Sequence, residues 1–186
     1  MSGAPDAARG AASLRMFYAL WPGIETRALI AAAARGIACG APARLVPAEN
    51  YHLTIAFVGE VPVQQLPILQ QIGASLGAAS CSIRFDAYEY WPKPEVVVAA
   101  AREIPASLEN CWRALHQNLA NRGFALDPKR LRPHVTLARK VTQAPVPTPM
   151  SPITWRASDF YLVRSSSAGT RAVYTVVDTW PLLDEA

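Results

Sequence analysis

The chain has 186 residues, 51% of them apolar, which allows one sizeable core and is short for two independent domains. Its longest apolar runs, such as V-V-V-A-A-A at Val96 to Ala101, fall far short of the roughly 20 residues that span a bilayer, which excludes a transmembrane helix; no membrane partner is expected. A net charge of +4 tolerates anionic partners without demanding them.

Residues 1–13 lack the apolar stretch of a signal peptide and read as a flexible tail ahead of a single domain over 14–183. Leu14 to Leu20 reads as a strand stopped by W-P-G. A helix is expected from about Glu25 to Cys39, with Gly40 just past its end. Leu53 to Val58 reads as a buried strand closed by Gly59. Leu66, Leu69, Ile72 and Leu76 recur at helical spacing and predict a second helix. Cys81 to Tyr90 and Glu95 to Ala101 read as two strands of a hairpin around W-P-K-P. Ile104, Leu108, Cys111, Trp112, Leu115 and Leu119 trace one face of a third helix, stopped by Gly123. A strand within Arg132 to Lys140 follows. Gln143 to Pro152, with four prolines, makes a stiff loop. Asp159 to Ser165 and Ala172 to Trp180 form a last pair of strands joined by S-S-A-G-T. The order is that of an α+β fold in two halves.

Each half carries one histidine–apolar–threonine strand. His52 and Thr54 stand in Y-H-L-T-I-A-F-V-G-E, and His134 and Thr136 in R-P-H-V-T-L-A-R. Side chains alternate faces along a strand, so His52 and Thr54 oppose Leu53, Ile55 and Phe57, while His134 and Thr136 oppose Val135 and Leu137. A lone pair of this kind is most often a satisfied core feature. Two among three histidines arise by chance, on this composition, with a probability on the order of 0.0005, so a shared site is the better reading. His116 sits beside the apolar face of its helix and reads as structural.

Two imidazoles, one neutral and one charged, suit acid and base catalysis at a phosphodiester. Threonine hydroxyls can hold the non-bridging oxygens. Catalytic zinc usually takes three protein ligands, and no third histidine or cysteine stands at ligand spacing, so no metal is expected. Cys39, Cys81 and Cys111 are odd in number and far apart, which points to free thiols in a reducing cytoplasm rather than disulfides. There is no phosphate-binding glycine loop and no nucleophile elbow. Between Arg122 and Lys140 six cations face the single acid Asp127. A field that gathers a phosphate-bearing ligand and a solvated rim are both open there.

H-L-T-I at 52–55 and H-V-T-L at 134–137 resemble the signature of the 2H phosphoesterase superfamily. The longer runs around them, with R-M-F-Y-A-L-W-P, F-Y-L-V-R-S and D-T-W-P-L, resemble the RNA 2′,3′-cyclic phosphodiesterases, also known as 2′-5′ RNA ligases. The resemblance implies a two-lobed, pseudo-duplicated fold, with mainly antiparallel sheets flanking a central cleft and helices outside. It implies RNA with 2′,3′-cyclic phosphate ends, or cyclic nucleotides, as substrates, 2′-phosphates as products, and no cofactor. It makes His52 the proton donor, His134 the proton acceptor and Arg139 a phosphate ligand. Strict alternation sets Arg139 opposite His134, so that role requires the strand to end or bend near Ala138; Arg132 is a second candidate. Tyr51, Trp21 and Trp91 are open between stacking a base and plugging the core. The expected enzyme is a monomer that can also run in reverse, as a 2′-5′ ligase. The competing expectation is a non-catalytic nucleotide-binding or RNA-binding module that keeps the cleft.

Overall fold

The computed structural model describes residues 12–37, 39–40, 42–168 and 171–184. The chain runs β1 (Ser13–Leu20), α1 (Ile24–Arg35), β2 (Arg44–Leu45), β3 (Leu53–Pro62), α2 (Leu66–Ala74), β4 (Cys81–Phe85), β5 (Ala87–Trp91), β6 (Val96–Ala100), α3 (Ala106–Asn121), β7 (His134–Arg139), β8 (Ile153–Ala157), β9 (Asp159–Ala168) and β10 (Arg171–Pro181). Two four-stranded sheets have the orders β10-β9-β1-β3 and β2-β7-β6-β5, and β4 pairs with β8. Neighbouring strands in all three are antiparallel. The expected α+β class with mainly antiparallel sheets is what the chain adopts.

The main core fills between the sheets and the helices. Met16, Tyr18 and Leu20 of β1, Leu69 and Ile72 of α2, and Leu108, Leu115 and Leu119 of α3 are buried in it. The Tyr18 hydroxyl donates to the Leu69 carbonyl at 2.6 Å, so this buried phenol is satisfied. Trp180 of β10 packs so closely on α2 that a Cβ at Gly73 would clash with its ring.

Several boundaries differ from expectation. Helix α1 ends at Arg35, four residues before Cys39, where Gly36 N–H donates to the Ala33 carbonyl and Ile37 N–H to the Ala34 carbonyl. Glycine is a poor helix residue, and the Tyr88 hydroxyl donates to Ala33 O at 3.1 Å, a second bond at a carbonyl of the last turn. The run Cys81 to Tyr90 is two strands in different sheets. Asp86 is the single residue between them, and its N–H donates to Ala100 O at 3.1 Å. The partner of β4 is β8, which is not among the predicted elements although buried Ile153, Trp155 and Ala157 alternate in it with exposed Thr154 and Arg156. Of the tail expected over 1–13, residues 1–11 lie outside the described residues, and Ser13 already belongs to β1. Gly169 and Thr170 of the expected last turn also lie outside them.

The same irregularity occurs in both histidine strands. Against β1, Thr54 pairs with Ala19 and Ala56 with Tyr18, leaving Ile55 as an extra residue. Against β6, Thr136 pairs with Val98 and Ala138 with Val97, leaving Leu137 extra. Each is a β-bulge, which reverses the alternation beyond it. Phe57 therefore returns to the face of Thr54, and it is 46% exposed rather than buried with Leu53 and Ile55 as strict alternation requires. Arg139, opposite Val96, returns to the face of Thr136 and His134.

Candidate active site

Both histidines are anchored alike. His52 Nδ1 lies 2.7 Å from the Asn50 carbonyl, and His134 Nδ1 lies 2.7 Å from the Arg132 carbonyl, in each case two residues back along the chain. A carbonyl only accepts, so each Nδ1 carries the hydrogen and each Nε2 is left for proton chemistry.

Cross-strand rows set what surrounds them. On the second sheet, His134, Thr136 and Arg139 of β7 stand opposite Ala100, Val98 and Val96 of β6, which stand opposite Ala87, Glu89 and Trp91 of β5. All nine share one face. The middle strand offers only small or branched side chains, so Trp91 lies over it and reaches His134, with ring centroids 4.5 Å apart. Arg44 of β2 extends the row beyond Arg139. On the first sheet, Phe17 and Ala19 of β1 pack with Trp21 and Tyr174. His52 sits among three of these rings: Trp21 stacked at 5.1 Å, Phe17 at 5.2 Å and Tyr174 edge-on at 5.0 Å.

The cleft has two ends, and the motifs cross between them. A cavity of about 810 Å³ is lined by His52 with the other strand's Thr136, together with Arg139, Arg44 and Lys140. A second, of about 570 Å³, is lined by His134 with Thr54, together with Phe57, Trp91, Lys129, Arg130 and Arg132. Each imidazole thus shares its end with the threonine of the opposite half.

Burial among the rings is the first cause that pushes His52 down from the ordinary 6.5 to about 4; the Asn50 carbonyl opposes it, and the Arg139 guanidinium and His134 add to it. His134 is also lowered, first by burial and then by the Arg132 and Arg139 guanidiniums, against the Arg132 carbonyl and the Glu89 carboxylate. Both shifts favour the neutral imidazole. Among the described residues, no three or more His, Cys, Asp or Glu side chains are grouped so as to hold a metal ion.

The family model described as LigT like Phosphoesterase matches residues 23–98. The chain is also 32% identical over 182 residues to the RNA 2′,3′-cyclic phosphodiesterase of Thermus thermophilus, covering 92% of each chain. The chain belongs to the LigT-like phosphoesterase family. It is also 29% identical over 140 residues to the RNA 2′,3′-cyclic phosphodiesterase of Escherichia coli, covering 75% of this chain and 80% of the relative. Its fold superposes on the crystal structure of E. coli LigT complexed with 3′-AMP with a TM-score of 0.84 at 28% identity, over 92% of this chain and 99% of the other.

Within this LigT-like frame the four motif side chains and Arg139 come together. Arg132 does not join Arg139. It lines the His134 end, where its guanidinium is bonded to Glu89 at 2.6 Å and lies 4.7 Å from the Trp91 ring centroid. Tyr51 is corrected: it is 2% exposed and part of the core, so its ring has no free face for a base. His116 is half-buried with Nε2 3.4 Å from the carbonyl of the bulged Ile55, and it also lines the cavity on the His134 side. Sequence reasoning missed Phe17, Tyr174 and Phe57, and above all Glu89. The one signal for Phe57 was the parallel between H-L-T-I-A-F and H-V-T-L-A-R, which places it in register with Arg139.

Proposed function

We propose that this chain is an RNA 2′,3′-cyclic phosphodiesterase that opens terminal cyclic phosphates to 2′-phosphomonoesters. His134 Nε2 takes a proton from water as the water oxygen bonds to phosphorus. The P–O3′ bond breaks on the opposite side, and His52 Nε2 gives O3′ its proton. Thr54, Thr136 and Arg139 hold the non-bridging oxygens as charge develops there. The observation that carries this reading is the crossed pair of Nδ1-anchored histidines at opposite ends of one cleft, which suits in-line attack and departure.

The environments favour His52 as the acid once substrate is bound. Burial disfavours its imidazolium, but the stacked Trp21 ring and a bound phosphate anion both favour it. Trp91 beside His134 already faces the Arg132 guanidinium, which disfavours a second cation there. The proposal takes the protein to be a cytoplasmic monomer, consistent with its three free cysteines. Among the described residues no helix is long and apolar enough to cross a membrane.

The cavity on the His134 side exceeds what a water nucleophile requires, which favours a second reaction at the same site. An RNA 5′-hydroxyl attacking phosphorus in place of water, with the P–O3′ bond breaking and O3′ taking its proton as before, would give a 2′-5′ linkage, the reverse of cleaving such a linkage to a cyclic phosphate. The test is turnover of 2′,3′-cyclic mononucleotides beside an oligonucleotide with a cyclic phosphate end. Release of 2′-phosphate from either supports the enzyme; tight binding without turnover would point instead to a non-catalytic binding module.

A further inference from the structure

Glu89 stands on the cleft face, in the row of Val98 and Thr136, where a carboxylate repels an incoming phosphate. Its presence there is explained by what it holds. One oxygen, Oε2, accepts from Trp91 Nε1 at 2.8 Å and from Arg132 Nη2 at 2.6 Å. Trp91 in turn touches both the His134 imidazole and the Arg132 guanidinium, and the backbone of Arg132 supplies the carbonyl that fixes His134 Nδ1. The side chain and the backbone that border His134 are thus tied to one carboxylate on β5, across β6 from the histidine strand. An isolated exposed ion pair contributes little, but the Glu89 side chain is only 35% exposed and makes two bonds at one atom.

We infer that Glu89 is a positioning residue for His134, clamping Trp91 and Arg132 around the imidazole so that Nε2 keeps its aim on the nucleophile. This rests on the reading of His134 as the general base. Besides Glu89, the charged groups facing His134 are Arg132 and Arg139, His52 across the cleft and, in the same cavity, Lys93, Arg130 and the Asp127–Lys129 pair. His116 of α3 lines that cavity too. Glu89 is the carboxylate that raises the His134 pKa against two guanidiniums that lower it.

The two duties separate by substitution. Glu89→Ala removes the clamp and the charge; Glu89→Gln keeps a carbonyl oxygen for the indole N–H and removes only the charge. On a 2′,3′-cyclic nucleotide, Glu89→Ala lowers kcat about tenfold with KM little changed, the scale expected of a displaced catalytic group. Glu89→Gln recovers most of that loss. In both variants the His134 imidazole, followed by NMR titration, deprotonates at lower pH, and the pH profile of the rate moves down with it. An Ala variant within twofold of wild type and a His134 titration unchanged in the Gln variant would overturn the inference; the Gln titration decides it even if the Ala variant fails to fold. His134→Ala separates the two layers: if it stays active, the base assignment itself is wrong, whereas an inactive His134→Ala beside unaltered Glu89 variants removes only the positioning role.

Discussion

Phe57 and Arg139 occupy matching places in the two halves, each five residues after its histidine and each turned to the cleft by one extra residue after the threonine. The two strands share a geometry and differ in what they deliver, an aromatic ring at one end and a guanidinium at the other.

Arg139 is therefore expected to act on the phosphate and Arg132 to act elsewhere. Arg139→Ala should lower kcat/KM on a cyclic nucleotide about a hundredfold, the scale of one lost charge-stabilising donor, while Arg132→Ala should cost less than about tenfold. Steady-state kinetics of both variants check this, and equal losses would count against the assignment.

The depressed imidazoles predict an acidic optimum for the free enzyme. The pH dependence of kcat/KM reports the unliganded groups, so its two limbs, which belong to the pair rather than to either residue, should both lie below 6.5. A bound phosphate anion favours both imidazoliums, so the kcat profile should sit at higher pH. A kcat/KM that is still rising at pH 8 would contradict the burial argument.

No step of the proposed reaction uses a metal to activate water, so turnover should survive exhaustive chelation. Rates measured before and after dialysis against EDTA check this; loss that zinc or manganese restores would end the two-histidine mechanism.

Packing makes a separate prediction. Gly73→Ala should lower stability by about 1–3 kcal/mol, the usual cost of overpacking, because the added methyl meets the Trp180 ring. Thermal melts check this, and Trp180→Leu should relieve much of the cost.

Both histidine–threonine pairs, most strands and all three helices were legible in the sequence, because alternation, helical spacing and a repeated motif are properties of a single segment. The direction of Arg139 was not. A bulge is a relation between two strands, and Leu137 looks like any apolar strand residue until Val97 and Val98 show that it has no partner. Glu89 escaped notice, and Trp91 stayed open between base and core, for a related reason: they reach the site across β6, whose Val96, Val98 and Ala100 leave room above them. The run from Cys81 to Tyr90 read as one strand because only Asp86 separates its two sheets. Tyr51 was offered to substrate because its burial depends on neighbours far along the chain.

The central claim is that the two histidines do different work, and leaving-group chemistry tests it most directly. A sugar alkoxide needs a proton to depart, whereas a nitrophenolate does not. His52→Ala should therefore be nearly inactive on a 2′,3′-cyclic nucleotide, losing roughly 10²–10⁴-fold, yet retain a far larger share of the wild-type rate on bis(p-nitrophenyl) phosphate. His134→Ala should be impaired on both substrates, since water still needs its base. The reverse pattern would exchange the two roles, and equal losses on both substrates from either change, in folded proteins, would contradict acid and base catalysis by this pair.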